Sequence, residues 1–129
     1  MHVHPLIAVE NIERSLAWYG RLLGCESHHG DSACAQLRLP GTKTTLLQLQ
    51  LWNGLDHPGL EASFAGPGHG VLLWFEVEDF DDALDRAREM DAWIVREPAI
   101  SAHTRRRECW LRDPDGYHVV LADSAGERD

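Results

Sequence analysis

An internal repeat constrains this chain more than any other feature. Val9-x-Asn11 and Val77-x-Asp79 superpose under one offset, and each stands between a strand-like run and a helix-like run. The preceding apolar runs cover residues 3–9 and 71–77. After Asn11, Ile12, Leu16, Tyr19 and Leu23 recur at helical spacing until Gly24 stops the run. After Asp79, the apolar stripe is Phe80, Leu84 and Ala87, with Ala83 and Met90 beside them. Asn and Asp cap well because a side-chain oxygen accepts from a backbone N–H that the first helical turn leaves unpaired. Three short β-type runs follow each helix: 25–29, 33–39 and 44–52 in the first half, and 92–96, 106–111 and 117–122 in the second. Gly30 and the turn Pro40-Gly41 divide the first set. A loop over 98–104 and the turn Asp113-Pro114-Asp115-Gly116 divide the second. Each half therefore reads βαβββ, and the fold class is α+β.

Bulk properties narrow the rest. A length of 129 residues with 43% hydrophobic content suits one domain with a real core. It is expected to hold modules at about 1–52 and 69–123, a Gly- and Pro-rich linker at 53–68, and a disordered tail at 124–129. The apolar runs are strand-sized, too short to span a bilayer. MHVHPLIAVEN has no basic segment followed by a cleavable apolar stretch, which leads us to expect a cytoplasmic protein. Cys25, Cys34 and Cys109 show no metal-binding or redox spacing, and reduced, buried or half-buried thiols are expected. A formal charge of −9 argues against nucleic acid and anionic membrane as partners, because both are bound by neutralising phosphates. The partner expected is a small molecule, with the field suiting neutral or cationic compounds.

The first half reads V-x-N-I-E-R-S-L-A-W-Y; the second reads W-F-E-V-E-D-F-D-D-A-L and, near its end, R-D-P-D-G-Y-H-V-V-L. This ordered set resembles the vicinal-oxygen-chelate superfamily of glyoxalases, bleomycin-resistance proteins and extradiol dioxygenases, and the likeness covers nearly the whole chain. It implies that the two modules form a curved, cup-shaped mixed sheet with helices on the outer face. It also implies a homodimer, in which modules of both chains contribute to each cup.

Strand side chains alternate between faces. Parity sends Ile7, Val9, Leu47, Leu49, Leu51, Leu73, Phe75, Val77, Val119 and Leu121 to the helices. It leaves His4, Leu6, Ala8, Leu46, Gln48, Gln50, Leu72, Trp74, Glu76, His118 and Val120 on the other face. A sheet facing water shows the same alternation; the resemblance is what makes that face concave. Metal-dependent members of the superfamily hold a divalent ion with one residue from each of four strands. Carried over one at a time, those positions are His4, Gln48, Leu72 and Val120. The first fits, the second is a weaker ligand, and the last two cannot bind metal. No metal or other cofactor is therefore expected; a displaced ion on His4, Gln48 and His118 is the alternative, lacking an anionic ligand.

No nucleophile signature and no phosphate loop is present. Glu76 and Glu108 are candidate general bases only if buried, and His118 is a further acid/base candidate. Of the five tryptophans, Trp18 is assigned to the core, Trp74 falls on the cup face, and Trp110 is left open. Taken together, the pattern reads as a metal-independent protein of the bleomycin-resistance type. It would bind an aromatic or cationic compound against His4, Leu6, Leu46, Gln48, Gln50, Leu72, Trp74, His118 and Val120. The rival is a metal-dependent lyase, isomerase or dioxygenase; a third option is a metal-free enzyme using His118 or Glu76.

Overall fold

A computed structural model describes residues 3–30, 33–52 and 71–124. The expected linker at 53–68, His2, His69 and nearly all of the expected tail lie outside the described residues. The chain divides into two compact units, Met1–His69 and Gly70–Asp129. The first contains β1 (Leu6–Val9), α1 (Ile12–Leu23), β2 (Glu26–His29), β3 (Cys34–Arg38) and β4 (Thr45–Leu51). The second contains β5 (Leu73–Val77), α2 (Phe80–Glu89), β6 (Trp93–Ile100), β7 (Arg107–Arg112) and β8 (His118–Asp123). The sheet orders correspond, β1-β4-β3-β2 and β5-β8-β7-β6, with a parallel pair at one edge of each and antiparallel pairs elsewhere. The α+β class and the βαβββ order of both halves are thus as expected.

The caps account for where the helices begin. Asn11 Oδ1 accepts from the Arg14 N–H at 2.9 Å, and Asp79 Oδ1 from the Asp82 N–H at 3.0 Å. Gly24 ends α1 at φ 67°, a left-handed conformation that glycine adopts without steric cost. The buried stripe of α1 is Ile12, Ser15, Leu16, Tyr19 and Leu22; Leu23, expected to face inward, is only half-buried. Trp18, assigned to the core, is also half-buried and meets Tyr19 edge to face at 4.8 Å.

Each unit has its own apolar core between helix and sheet. In the first it is built from Tyr19, Leu22, Leu37, Leu47 and Leu49, and in the second from Phe80, Ala83, Ala87, Cys109, Leu111, Val119 and Leu121. The parity assignment therefore holds for the strand residues at these centres.

One expected loop is partly strand. β6 runs through Pro98 to Ile100, where a loop over 98–104 was expected. Proline lacks an N–H and is normally excluded from a ladder, but β6 is the outer strand of its sheet. Its register with β7 slips twice, between Ile94 and Arg96 and between Arg96 and Ala99. An edge position and a bulge are the two places where a strand tolerates proline. The Asp113–Gly116 turn forms as expected. Asp113 Oδ1 accepts from the N–H groups of Asp115 and Tyr117 at 2.9 and 2.8 Å, and Gly116 has φ 92°.

The Cys109 thiol lies in the second core, and burial pushes its pKa from the ordinary 9.0 up to about 11, with Glu97 adding to the rise. A raised acid pKa stabilises the fold below pH 9 and loses that contribution as pH climbs towards 11, because the unfolded thiol ionises first. The melting temperature of the protein is therefore expected to fall more steeply between pH 9 and 11 than that of Cys109→Ala. Parallel slopes would contradict this.

Candidate functional site

In the second unit β8 is flanked by β5 and β7, and the register places Trp74, Val120 and Trp110 in one row. Val120 is short and both neighbours are indoles, so the row forms a slot with two aromatic walls. This row is part of a cavity of about 500 Å³. Leu72, Trp74, Val95, Trp110 and Val120 make its apolar lining, and Ser101, His103, Thr104, Glu108 and His118 supply the polar groups.

A carboxylate organises the slot. Glu108 is 8% exposed, and three donors converge on it. Its Oε1 accepts from the Trp110 indole N–H at 3.2 Å, and its Oε2 from the Thr104 hydroxyl at 2.9 Å and the Trp74 indole N–H at 3.5 Å. A buried carboxylate requires such donors, and here they also fix the tilt of both rings. Thr104 is positioned by the loop between β6 and β7. Within it the Ser101 hydroxyl accepts from the N–H groups of His103 and Thr104, and Arg105 is left-handed at φ 61°.

Arginines surround the aromatic groups. Arg96 lies 4.6 Å from the Trp110 ring centre, Arg106 5.8 Å from that of Trp74, and Arg112 5.2 Å from that of Trp93. Arg106 also forms an ion pair with Glu76. That contact occupies the candidate base Glu76, which is exposed and does not line the cavity. His118 is exposed at the cavity wall and stands opposite Arg112 in the β7–β8 ladder.

Of the residues expected on the open face, Leu72, Trp74, His118 and Val120 come together in this cavity. Leu72 is 61% exposed and Val120 is 3% exposed. His4, Leu6, Leu46, Gln48 and Gln50 belong to the first unit. There Leu6 pairs with Gln48 and Ala8 with Gln50 in the β1–β4 register, and the Gln48 amide donates to the His4 carbonyl oxygen at 3.3 Å. Ala8 and Gln50, which parity assigned to the cup face, are buried at 5% exposure. Sequence reasoning missed Val95, Ser101, His103 and Thr104. Val95 shares the open face with Trp93, where strict alternation along β6 places it, but no parity was assigned to that strand. Ser101 and Thr104 carried a usable signal, two hydroxyl residues spaced to cap a tight loop.

The residues do not fit the divalent ion that the resemblance brings to mind. Two of the four ligand positions, Leu72 and Val120, are hydrocarbon, and Val120 forms the floor of the aromatic slot. His103, His118 and Glu108 line one cavity, yet among the described residues no three His, Cys, Asp or Glu side chains converge closely enough to hold an ion.

Comparison with known proteins agrees with this architecture. The chain is 26% identical to a probable lactoylglutathione lyase of Synechocystis sp., covering 98% of both chains. It is 27% identical to a lactoylglutathione lyase of Neisseria meningitidis, covering 91% of this chain and 86% of the relative. A solved glyoxalase/bleomycin resistance protein/dioxygenase superfamily member from Sphaerobacter thermophilus superposes with a TM-score of 0.70 at 21% identity. That match covers 96% of this chain and 98% of the other. The model of one family matches residues 2–121, nearly the full length, and the chain belongs to that family: the Glyoxalase/Bleomycin resistance protein/Dioxygenase superfamily.

Proposed function

We propose that this protein binds a planar aromatic small molecule in the cavity of its second unit without using a metal ion. The observation that carries the reading is the slot in which Trp74 and Trp110 flank Val120 and direct their N–H groups to one buried carboxylate. Rings fixed in this way present flat walls for stacking, at little cost in side-chain entropy on binding. The rest of the lining is apolar, with a few polar groups to orient a ligand. Leu72 and Val120 are then pocket walls, and His118 is the polar group best placed to meet the ligand's edge.

A second reading takes support from the relatives named lactoylglutathione lyase. Under it, the chain would be a lyase or isomerase using a divalent metal on His4, Gln48 and His118. The donor chemistry argues against it, since this set has no carboxylate.

One titration separates the two. With the protein treated with chelator, naphthalene-type compounds are expected to quench tryptophan fluorescence saturably, with an unchanged Kd when Zn, Ni, Mn or Fe is restored. Binding that appears only with about one metal ion per chain, or lactoylglutathione lyase turnover that depends on it, would establish the second reading instead.

A further inference from the structure

We propose that the open face of the second unit carries an anion-binding subsite, formed by the guanidinium groups of Arg112 and Arg96, so that the compound bound is an aromatic acid. The inference rests on the reading that this face binds an aromatic ligand, and it adds the charge of the group beside the ring.

The register of β6 places the two arginines. It steps from Trp93 opposite Arg112, through Ile94 opposite Leu111, to Arg96 opposite Trp110, and passes over Val95. Without that extra residue, strict alternation would send Arg96 to the helix side with Ile94. The bulge turns it onto the open face. Two Arg–Trp cross-strand pairs result in successive rows with their order reversed, which sets the guanidiniums diagonally across the Trp93 and Trp110 rings.

What these arginines lack is the main argument. The chain has 21 acidic residues against 12 basic ones, so a carboxylate is usually within reach of an arginine. Arg14, Arg86, Arg88, Arg106 and Arg107 each have one. Arg96 and Arg112, like Arg21 and Arg38, have none among the described residues; what sets Arg112 apart is its Nε, buried without any acceptor there. A buried charged donor with no acceptor is costly, and the cost is recovered when a ligand supplies the oxygen. A planar carboxylate matches the guanidinium fork in geometry as well as charge. His118, opposite Arg112 in the ladder, places an imidazole on the same side of the sheet. Glu108, the one carboxylate among the described residues of the cavity lining, already accepts from three donors, so it offers little to a cationic ligand. The overall negative charge attracts cations to the molecule, but the stretch of the open face beside Arg112 and Arg96 favours anions.

Three isosteric probes test the subsite by tryptophan quenching: naphthoate, naphthylmethanol and naphthylmethylamine. Naphthoate should bind at least tenfold more tightly than the other two. Arg112→Lys keeps the charge but loses the Nε–H fork, and should erase most of that advantage while leaving naphthylmethanol unchanged. The Arg112 Nε–H resonance read by NMR, titrated with naphthoate and with inorganic phosphate, is a readout that needs no substitution. Equal binding of the three naphthalenes overturns the anion subsite and leaves aromatic binding standing. If no naphthalene binds but phosphate shifts the Arg112 Nε–H resonance, the subsite stands and aromatic binding falls. A resonance unmoved by either anion overturns the subsite whatever the quenching shows.

Discussion

Phe80→Ala should lower the free energy of unfolding by about 3–5 kcal/mol, the usual cost of deleting a fully buried phenyl ring. Phe80 is 2% exposed and is the largest fully buried side chain among the described residues of the second unit. It also begins α2, immediately after the Asp79 cap. The outer side of its ring carries the Arg107 guanidinium at 4.6 Å, which in turn pairs with Asp81 at 3.0 Å and Asp123 at 3.2 Å. Truncation therefore opens a cavity, leaves the arginine without its aromatic support, and weakens the start of the helix together. Domains of this size have only about 5–15 kcal/mol in hand, so the variant should unfold tens of degrees earlier or fold poorly at 37 °C. Denaturant titration measures the effect; a loss below about 1 kcal/mol would mean that the second core does not depend on this ring.

The largest effect on binding is expected at Trp110. Trp110→Ala removes one wall of the slot, one of the three donors to Glu108, and the surface on which Arg96 rests. Loss of a stacking wall of this kind costs about 2–3 kcal/mol, or roughly 30-fold to 150-fold in Kd. Trp110→Phe keeps a flat ring but loses the N–H to Glu108, and should lie between alanine and the native residue. Its comparison with alanine separates stacking from positioning. Quenching by a naphthalene probe, read through the remaining tryptophans, measures both variants. Unchanged affinity in Trp110→Ala would place the ligand elsewhere.

Much of the fold was legible because its signals are local. Asn11, Asp79 and Gly24 act within one helical turn, and the Asp113–Gly116 turn closes on its own side chain, so neither needs tertiary context. Strand parity was sufficient to bring Leu72, Trp74, His118 and Val120 to one face. The limits arose where a strand departs from period two. The slips around Arg96 move that residue onto a face that alternation assigns otherwise, and they let Pro98 remain in the strand. Trp110 was left undecided for a related reason, since only its pairing with both Val120 and Arg96 reveals its surroundings. Glu108 read as an ordinary strand carboxylate. Its significance comes from donors on β5, on β7 and in the loop before β7, and the one on β5, Trp74, is brought close only by the folded sheet.

Pro98 has a further consequence, for the behaviour of this sheet towards other chains. β6 is the outer strand of its sheet, and it displays Trp93, Val95 and Ile100, all exposed. An apolar edge of that length would ordinarily invite a foreign strand to continue the ladder and start aggregation. Here the edge lacks one N–H at the proline and changes register twice within eight residues, so a regular incoming strand finds no continuous row of partners. The irregularity that brings Arg96 round to the open face is thus also what protects this exposed apolar edge of the second unit from its own kind.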